Sequence, residues 1–311
     1  MASLRWFKGN LHTHPFRAGV VDDSERVVAW YREHGYDFVA LTEHDRTFVY
    51  QGDRRFKTPL VLQGEEVTIR TINNRPSELH LNGIGISRVV DPIDAIELVP
   101  TLQANIDAIL DAGGIAMVNH PNTVWLPFHG WTENAQALSQ TKGASLLEVY
   151  NGSQRIVLYG TAEMSSKELI WDQVLSSGLV IYGAATDDAA EFVHFSSDFA
   201  NPGRGWVMVR AQRLEQKAIL NALATGEFYS STGVTLSHIQ LTKESIELGI
   251  QEVPGVIHTT AFTGHGGQVL DQQMGLEARY DIRGDEKYVR ATVRASSEQK
   301  AWIQPVFLPD S

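Results

Sequence analysis

The chain has 311 residues, no cysteine and a formal charge of −11. The absence of cysteine excludes a disulfide scaffold and thiolate metal sites, so any metal must be held by His, Asp and Glu. The acidic balance disfavours long nucleic acid as a partner, no apolar run is long enough to span a bilayer, and the first residues carry no signal-peptide core. The expectation is a cytoplasmic protein without membrane partners, built as one large α/β domain or as one domain with an appendage.

Leu4, Trp6 and Phe7 begin an apolar strand that runs into Asn10-Leu11-His12-Thr13-His14-Pro15. On a strand, residues i and i+2 share a face, so both imidazoles can reach one ion. Residues 24–34 predict a helix, with Ser24 as N-cap and Val27, Val28, Trp30 and Tyr31 as its apolar face. The buried strand Phe38-Val39-Ala40-Leu41 leads to Glu43-His44-Asp45. Strands follow over 60–67, with Gly64, Glu65 and Glu66, and over 79–86, with His80. A long helix is predicted over 92–112, closed by Gly113-Gly114. Strand 115–118 runs into Asn119-His120-Pro121, and strand 146–150 into Asn151-Gly152. A helix over 161–177 precedes strand 180–183 and then Ala185-Thr186-Asp187-Asp188. Strand 206–209 and helix 214–225 complete this alternation, which predicts βα units around a parallel sheet. From Val234 onward period-two patterning takes over, in Ile239 and Leu241, in Ile246, Leu248 and Ile250, and in Tyr288 to Val293. The division expected is 1–233 for the metal-binding region and 234–311 for a small antiparallel β appendage.

His12, His14, His44, Glu65, Glu66, His80, His120, Asp187 and Asp188 each fall at the carboxyl end of a predicted strand or just past it. In α/β barrels that rim carries the active site. Imidazole and carboxylate without thiolate suit Zn, Mn or Fe. A shared carboxylate can bridge two ions about 3.5–4 Å apart, an arrangement that activates water and clamps phosphoryl oxygens. His34, His129, His194 and His238 lack this context and are expected to be structural or surface residues.

In order along the chain, Asn10-Leu11-His12-Thr13-His14, Ala40-Leu41-Thr42-Glu43-His44-Asp45, Gly64-Glu65-Glu66-Val67, His80-Leu81-Asn82-Gly83, Asn119-His120-Pro121 and Thr186-Asp187-Asp188-Ala189 resemble the polymerase and histidinol phosphatase (PHP) superfamily over roughly residues 5–235. Taken together these pieces are specific. The resemblance implies a distorted seven-stranded β/α barrel of TIM-like type, with metals at its rim. It also implies metal-dependent phosphoester hydrolysis by a hydroxide held between two divalent ions. By position, His12, His14, Glu66 and Asp188 would hold the first ion, and Glu66, His80 and His120 the second. Glu66 is preferred to Glu65 and Asp188 to Asp187, because those positions match the family pattern. Two departures stand out: Gly19 and Ala190 occupy places where family members that bind a third metal carry Asp and His. Asp22 or Asp23 could replace the missing carboxylate in space. The expectation is a dinuclear site that leaves His44 free to protonate a leaving group or bind the substrate anion.

Arg17 and Arg155, each just after a site turn, are candidate phosphate clamps, since guanidinium binds such oxygens bidentately. Trp125, Phe128, His129 and Trp131 crowd the loop over 122–131, either as a wall for a substrate ring or as packing onto the body. The substrate expected is a small phosphomonoester or a short phosphodiester. A metal hydrolase of another ester or amide bond, and a non-catalytic metal-binding protein, stay open as alternatives.

Overall fold

The computed structural model describes residues 4–15, 23–50, 52, 58–123, 131–154, 156, 160 and 165–308. One continuous mixed sheet of thirteen strands organises it. Its first half is β1 (Arg5–Asn10), β2 (Phe38–Leu41), β3 (Leu60–Ile72), β4 (Arg75–Ile84), β5 (Ile115–Val118), β6 (Ala144–Asn151) and β7 (Tyr182–Thr186), adjacent in that order. Parallel pairing joins β1 to β2, β2 to β3, β5 to β6 and β6 to β7.

The all-parallel expectation fails at β4, which is antiparallel to both β3 and β5. The cause lies in Asn73 and Asn74, with φ of 50° and 61°. Two left-handed residues in succession make a tight hairpin turn, and asparagine tolerates that conformation better than most side chains. Strand β3 therefore continues five residues further in the hairpin, to Ile72, instead of stopping near Val67.

The helices pack an apolar face on this sheet. In α1 (Ser24–Glu33) the buried residues include Val27, Val28 and Tyr31. In α2 (Leu98–Asp111) Leu98, Leu102, Ile106 and Ile109 form a stripe at helical spacing. Each such side chain contributes about 1.5–3 kcal/mol when fully buried. Gly113, at φ 86°, ends α2, and its N–H donates back to the Leu110 carbonyl. The predicted start of this helix at Pro92 is too early. Asn105 bonds both the N–H and the C=O of Ile93, and Asp94 accepts from the Ile96 N–H, which holds the preceding segment in a non-helical path. An additional helix, α3 (Trp131–Leu138), begins at the last residue of the loop expected over 122–131, in a stretch for which no element was predicted. Ser166 accepts from the Leu169 N–H and caps α4 (Lys167–Ser176); Thr161 to Met164 lie outside the described residues. The helix α5 (Gln216–Ala224) follows β8 (Trp206–Ala211).

Among the described residues no ladder joins β7 to β1, because β8 occupies the second edge of β1 in antiparallel register. The two ends of the seven-strand set meet instead at a single parallel bridge, Thr13 with Ala189. The free edge of β7 is satisfied by side chains. Ser230, on β9 (Phe228–Ser231), accepts from the Ala185 N–H and donates to the Gly183 carbonyl. Gln304, on β16 (Lys300–Phe307), makes both bonds to the Gly183 backbone. The fold shown is thus α/β with a large mixed sheet.

The period-two patterning after Val234 does correspond to antiparallel strands. A three-stranded sheet comprises β10 (Leu236–Leu241), β11 (Ser245–Ile250) and β14 (Glu277–Asp281). Strands β12 (His258–Thr263), β13 (Val269–Met274), β15 (Tyr288–Ala295) and β16 extend the large sheet, because β16 pairs with β9. Backbone pairing therefore crosses the 233/234 boundary. Among the described residues no helix is long and apolar enough to cross a membrane.

A buried ion pair also joins the two regions. Arg290 on β15 donates from Nε and Nη2 to Asp172 on α4 at 2.7 and 2.6 Å, and the Tyr288 hydroxyl donates to the same carboxylate. Removing one partner strands the other charge in the interior. Arg290→Met is expected to lower stability by about 3–5 kcal/mol. Adding Asp172→Leu to that variant should recover most of the loss, as read by urea unfolding.

Candidate metal centre

One carboxylate is the hub of the site. Glu66 on β3 is 1% exposed. Its Oε1 lies 3.3 Å from His12 Nε2, 3.0 Å from His80 Nδ1 and 3.4 Å from His120 Nε2. Its Oε2 lies 3.4 Å from His14 Nε2 and 3.1 Å from His44 Nδ1. Asp188 Oδ1 adds a second carboxylate, 3.0 Å from His14 Nε2 and 3.5 Å from His12 Nε2. Four strand ends and two hairpin strands thus deliver these side chains to one place.

Local sequence explains the aim of each. His12 and His14 follow β1 on an extended path held by the Thr13 bridge, so both rings face Glu66. Gly64 lets β3 pass closely between β2 and β4, since a Cβ there would lie 2.8 Å from Thr42 Cγ2 and 3.0 Å from the Leu41 carbonyl. Glu65 points to the opposite face of β3 and accepts from the Val90 N–H at 2.8 Å. Asp187 is consumed by structure: it accepts from the N–H groups of Gly203, Arg204 and Gly205 and from the Tyr31 hydroxyl. Asp188, with φ 47°, turns the other way.

Glu148 on β6 escaped the sequence reading. It is fully buried and sits behind the cluster. It accepts from His12 Nδ1 at 2.7 Å, from the Thr186 hydroxyl at 2.6 Å and from the His120 N–H at 2.6 Å. The available signal was one acid inside the apolar run Leu146-Leu147-Glu148-Val149. Asn119 was also missed as a participant; it donates to Glu66 Oε1 and to Asn82 Oδ1, both at 2.8 Å.

The donor set fits divalent cations. With Nδ1 of His12 donating to Glu148, Nε2 faces two carboxylates, is buried and has no hydrogen-bond partner. Two ligand atoms about 2.1 Å from one ion at a tetrahedral angle stand about 3.4 Å apart. Several of the nitrogen–oxygen separations around Glu66 have that length. Three overlapping groups, His12 with His14 and Glu66, His14 with Glu43 and His44, and His44 with Glu66 and His80, bring their ligand atoms within 4.8 Å of one another.

Electrostatics point the same way. Burial opposes charge on His14, but Asp188 and Glu43 outweigh it and raise its pKa to about 10. Burial likewise opposes charge on His12, and Asp188, Glu66 and Glu148 raise it well above the ordinary value. Burial would raise Glu66, yet His12 and His80 hold it well below the usual carboxylate range. His44 is lowered, chiefly by burial, with Glu66 opposing and His14 and His80 reinforcing the shift. Its Nδ1 meets Thr68 Oγ1 at 2.7 Å, and that hydroxyl already donates to the Glu66 carbonyl. Nδ1 therefore carries the proton in the neutral ring.

A cavity of about 630 Å³ opens on the cluster. Its described lining carries six carboxylates, including Glu78, Glu191 and Asp198 at some distance from the hub, and no lysine or arginine. Ala190 is part of that lining and offers no ligand atom. Gly19, Asp22, Arg17, Arg155 and the aromatics Trp125, Phe128 and His129 lie outside the described residues. Asp23 is engaged by Arg26 Nε at 2.9 Å. His34 stacks on Trp30, and His194 and His238 are exposed, all away from the cluster.

Two outcomes follow. A metal ion must displace the protons that His12 and His14 hold at neutral pH, so affinity should rise with pH, by about tenfold per unit for each proton released. Chelator competition between pH 6 and 8 reads this slope, and a flat profile would contradict the assignment. Glu148→Gln should weaken metal binding about 10–100-fold without unfolding the chain, because it loosens the hold on His12.

No family model matches the chain, and no curated protein does. Among solved structures, it is similar to a two-domain protein from Bacteroides vulgatus described as containing a predicted PHP-like metal-dependent phosphoesterase. The two share 16% identity with a TM-score of 0.48, over 97% of this chain and 95% of that one. The site segments, whose order resembles the PHP pattern, meet at one buried carboxylate.

Proposed function

We propose that the protein is a metal-dependent hydrolase, and that its substrate is a small phosphomonoester or a short phosphodiester. The observation that carries this reading is the convergence of five imidazoles on Glu66 at ligand spacing, inside a cavity of small-molecule size. His12, His14, Glu66 and Asp188 would hold one divalent ion, and Glu66, His80 and His120 a second, with Zn, Mn or Fe suited to such donors. Bound there, divalent ions would supply Lewis acidity toward phosphoryl oxygens and lower the pKa of coordinated water.

The chain's own groups do the rest. Glu148 fixes the tautomer and aim of His12, and it ties the His120 backbone to the same anchor. Thr68 does the same for His44, whose side chain is 41% exposed and so is the imidazole most open to a substrate. A ring that is neutral at pH 7 accepts a proton before it can return one to the leaving oxygen. Arg17 and Arg155 are proposed, on sequence position, to hold the phosphate.

The acidic lining sets an order of events. A phosphate dianion is repelled by this cavity until cations are in place. A second reading, hydrolysis of an uncharged ester or amide, would need no such order, since an uncharged substrate is not repelled by the carboxylates. Parallel assays of phosphate and carboxylate esters with added Mn²⁺ or Zn²⁺ separate the two, and inactivity on both classes would overturn the hydrolase reading.

His120→Ala should remove one ion and most turnover, by metal analysis and rate. His44→Ala should lower kcat by about 10²–10⁴-fold while two ions per chain are kept. Loss of an ion in that variant would make His44 a ligand instead, and three tightly bound ions in the parent would refute the dinuclear assignment.

A further inference from the structure

A second cavity, of about 550 Å³, shares no lining residue with the first. Its floor is one face of the extended sheet. Thr259 and Thr263 on β12 stand directly opposite Arg294 and Arg290 on β15, and Arg294 stands opposite Lys300 on β16. Between them Ala261 faces Thr292, and this small side chain leaves the hollow. One wall is the first turn of α4, where Ser166 and Glu168 face the cavity. The neighbouring Lys167 is fully buried; burial lowers its pKa to about 8, and Glu148 and Asp188 of the candidate metal centre oppose that shift. The same turn thus separates the two cavities.

The charge of this second cavity opposes that of the chain. Arg290 is matched by Asp172, and Lys300 by Glu168 at 2.6 Å. Arg294 is exposed and has no carboxylate partner among the described residues. One unmatched cation therefore faces a hollow in a protein of charge −11. The rest of the floor is rich in hydroxyls. Thr292 Oγ1 already accepts from Arg290 Nη1 at 2.8 Å, so its own proton is available to an acceptor. Among the described residues its lining holds no aromatic ring.

We propose that this cavity binds a small anion bearing several hydroxyl groups, a sugar acid or a sugar phosphate, with its charged end at Arg294 and its hydroxyls on the threonines. Size agrees, since small-molecule pockets span about 300–1,000 Å³. The site is separate from the metal centre and does not depend on the reaction proposed there.

Calorimetric titration of the metal-loaded full chain with D-gluconate, glucose 6-phosphate and inorganic phosphate tests this. Gluconate or glucose 6-phosphate should bind with Kd below about 1 mM, and which of them binds more tightly identifies the anionic end as carboxylate or phosphate. Arg294→Glu, at an exposed position, should weaken that binding at least about tenfold with Tm unchanged, a loss of about 1.4 kcal/mol. Glu66→Gln in the other cavity should leave gluconate binding intact. The proposal is overturned if neither sugar derivative binds below about 10 mM, if Arg294→Glu has no effect, or if Glu66→Gln abolishes gluconate binding. Inorganic phosphate binding as tightly as both sugar derivatives would overturn the recognition of hydroxyls.

Discussion

A single buried carboxylate sets the terms for this structure. Glu66 sits at 1% exposure, where an uncompensated negative charge is costly by several kcal/mol. Five imidazoles from four segments surround it. In the metal-free chain a proton on His12 supplies part of the compensating charge: against the opposing effect of burial, Asp188, Glu66 and Glu148 raise that imidazole well above its ordinary value. Divalent cations would supply the same charge more compactly. Protons and metals are thus alternative occupants of one electrostatic demand, and the strand ends are arranged to satisfy it.

Behind the cluster lies a polar layer without which its geometry would relax. Asn10 donates to the His12 carbonyl and to the Tyr31 hydroxyl, and accepts from the Asp187 N–H. Tyr31 closes the loop by donating to Asp187. Asn82 holds the Leu11 carbonyl and accepts from Asn119, which also holds Glu66. These groups are essentially fully buried, so each lost bond leaves an unsatisfied polar atom in a low-dielectric interior. The network ties β1, β4, β5 and β7 to one another at the end where the candidate ligands emerge. It takes on at that rim part of the work that a closing ladder would do in a complete barrel.

The site was more legible in the sequence than the sheet, for a physical reason. A histidine or acid just past an apolar strand is a local signal, and an extended backbone fixes which residues share a face. His12, His14, Glu66, His80, His120 and Asp188 all carried such signals, and they meet. Glu148 did not, because an acid in mid-strand reads as an exposed position unless its partners are known, and they lie at residues 12, 120 and 186. Strand partnership is likewise a long-range property. Asn73-Asn74 is a local turn signal in itself, but the antiparallel placement of β4 depends on both of its neighbours, β3 and β5. The alternation after Val234 announced strands, yet their union with the large sheet rests on β16 finding β9. Helix α2 shows the opposite failure: apolar spacing continued upstream of Leu98, and only Asn105 and Asp94 reveal why the helix does not.

Charge then distinguishes the two cavities described above. The first is acidic and rich in imidazole, so it attracts cations and admits an anion only once they are bound. The second holds its Glu168 in a pair with Lys300 and presents Arg294 beside it, a charge that suits the anion proposed for it. At several ångströms through protein, opposite fields of this kind would weaken each other were the intervening groups free to rearrange. The first turn of α4 prevents that. Glu168 is committed to Lys300 on one side, while the pull of Glu148 and Asp188 sustains the charge of Lys167 against the cost of burial on the other. Ser166 caps the turn, and Asp172, one turn further along the helix, fixes it to β15. The first turn of α4 thus has oppositely charged neighbours on its two sides, carboxylates of the candidate metal centre beside Lys167 and the ammonium of Lys300 beside Glu168.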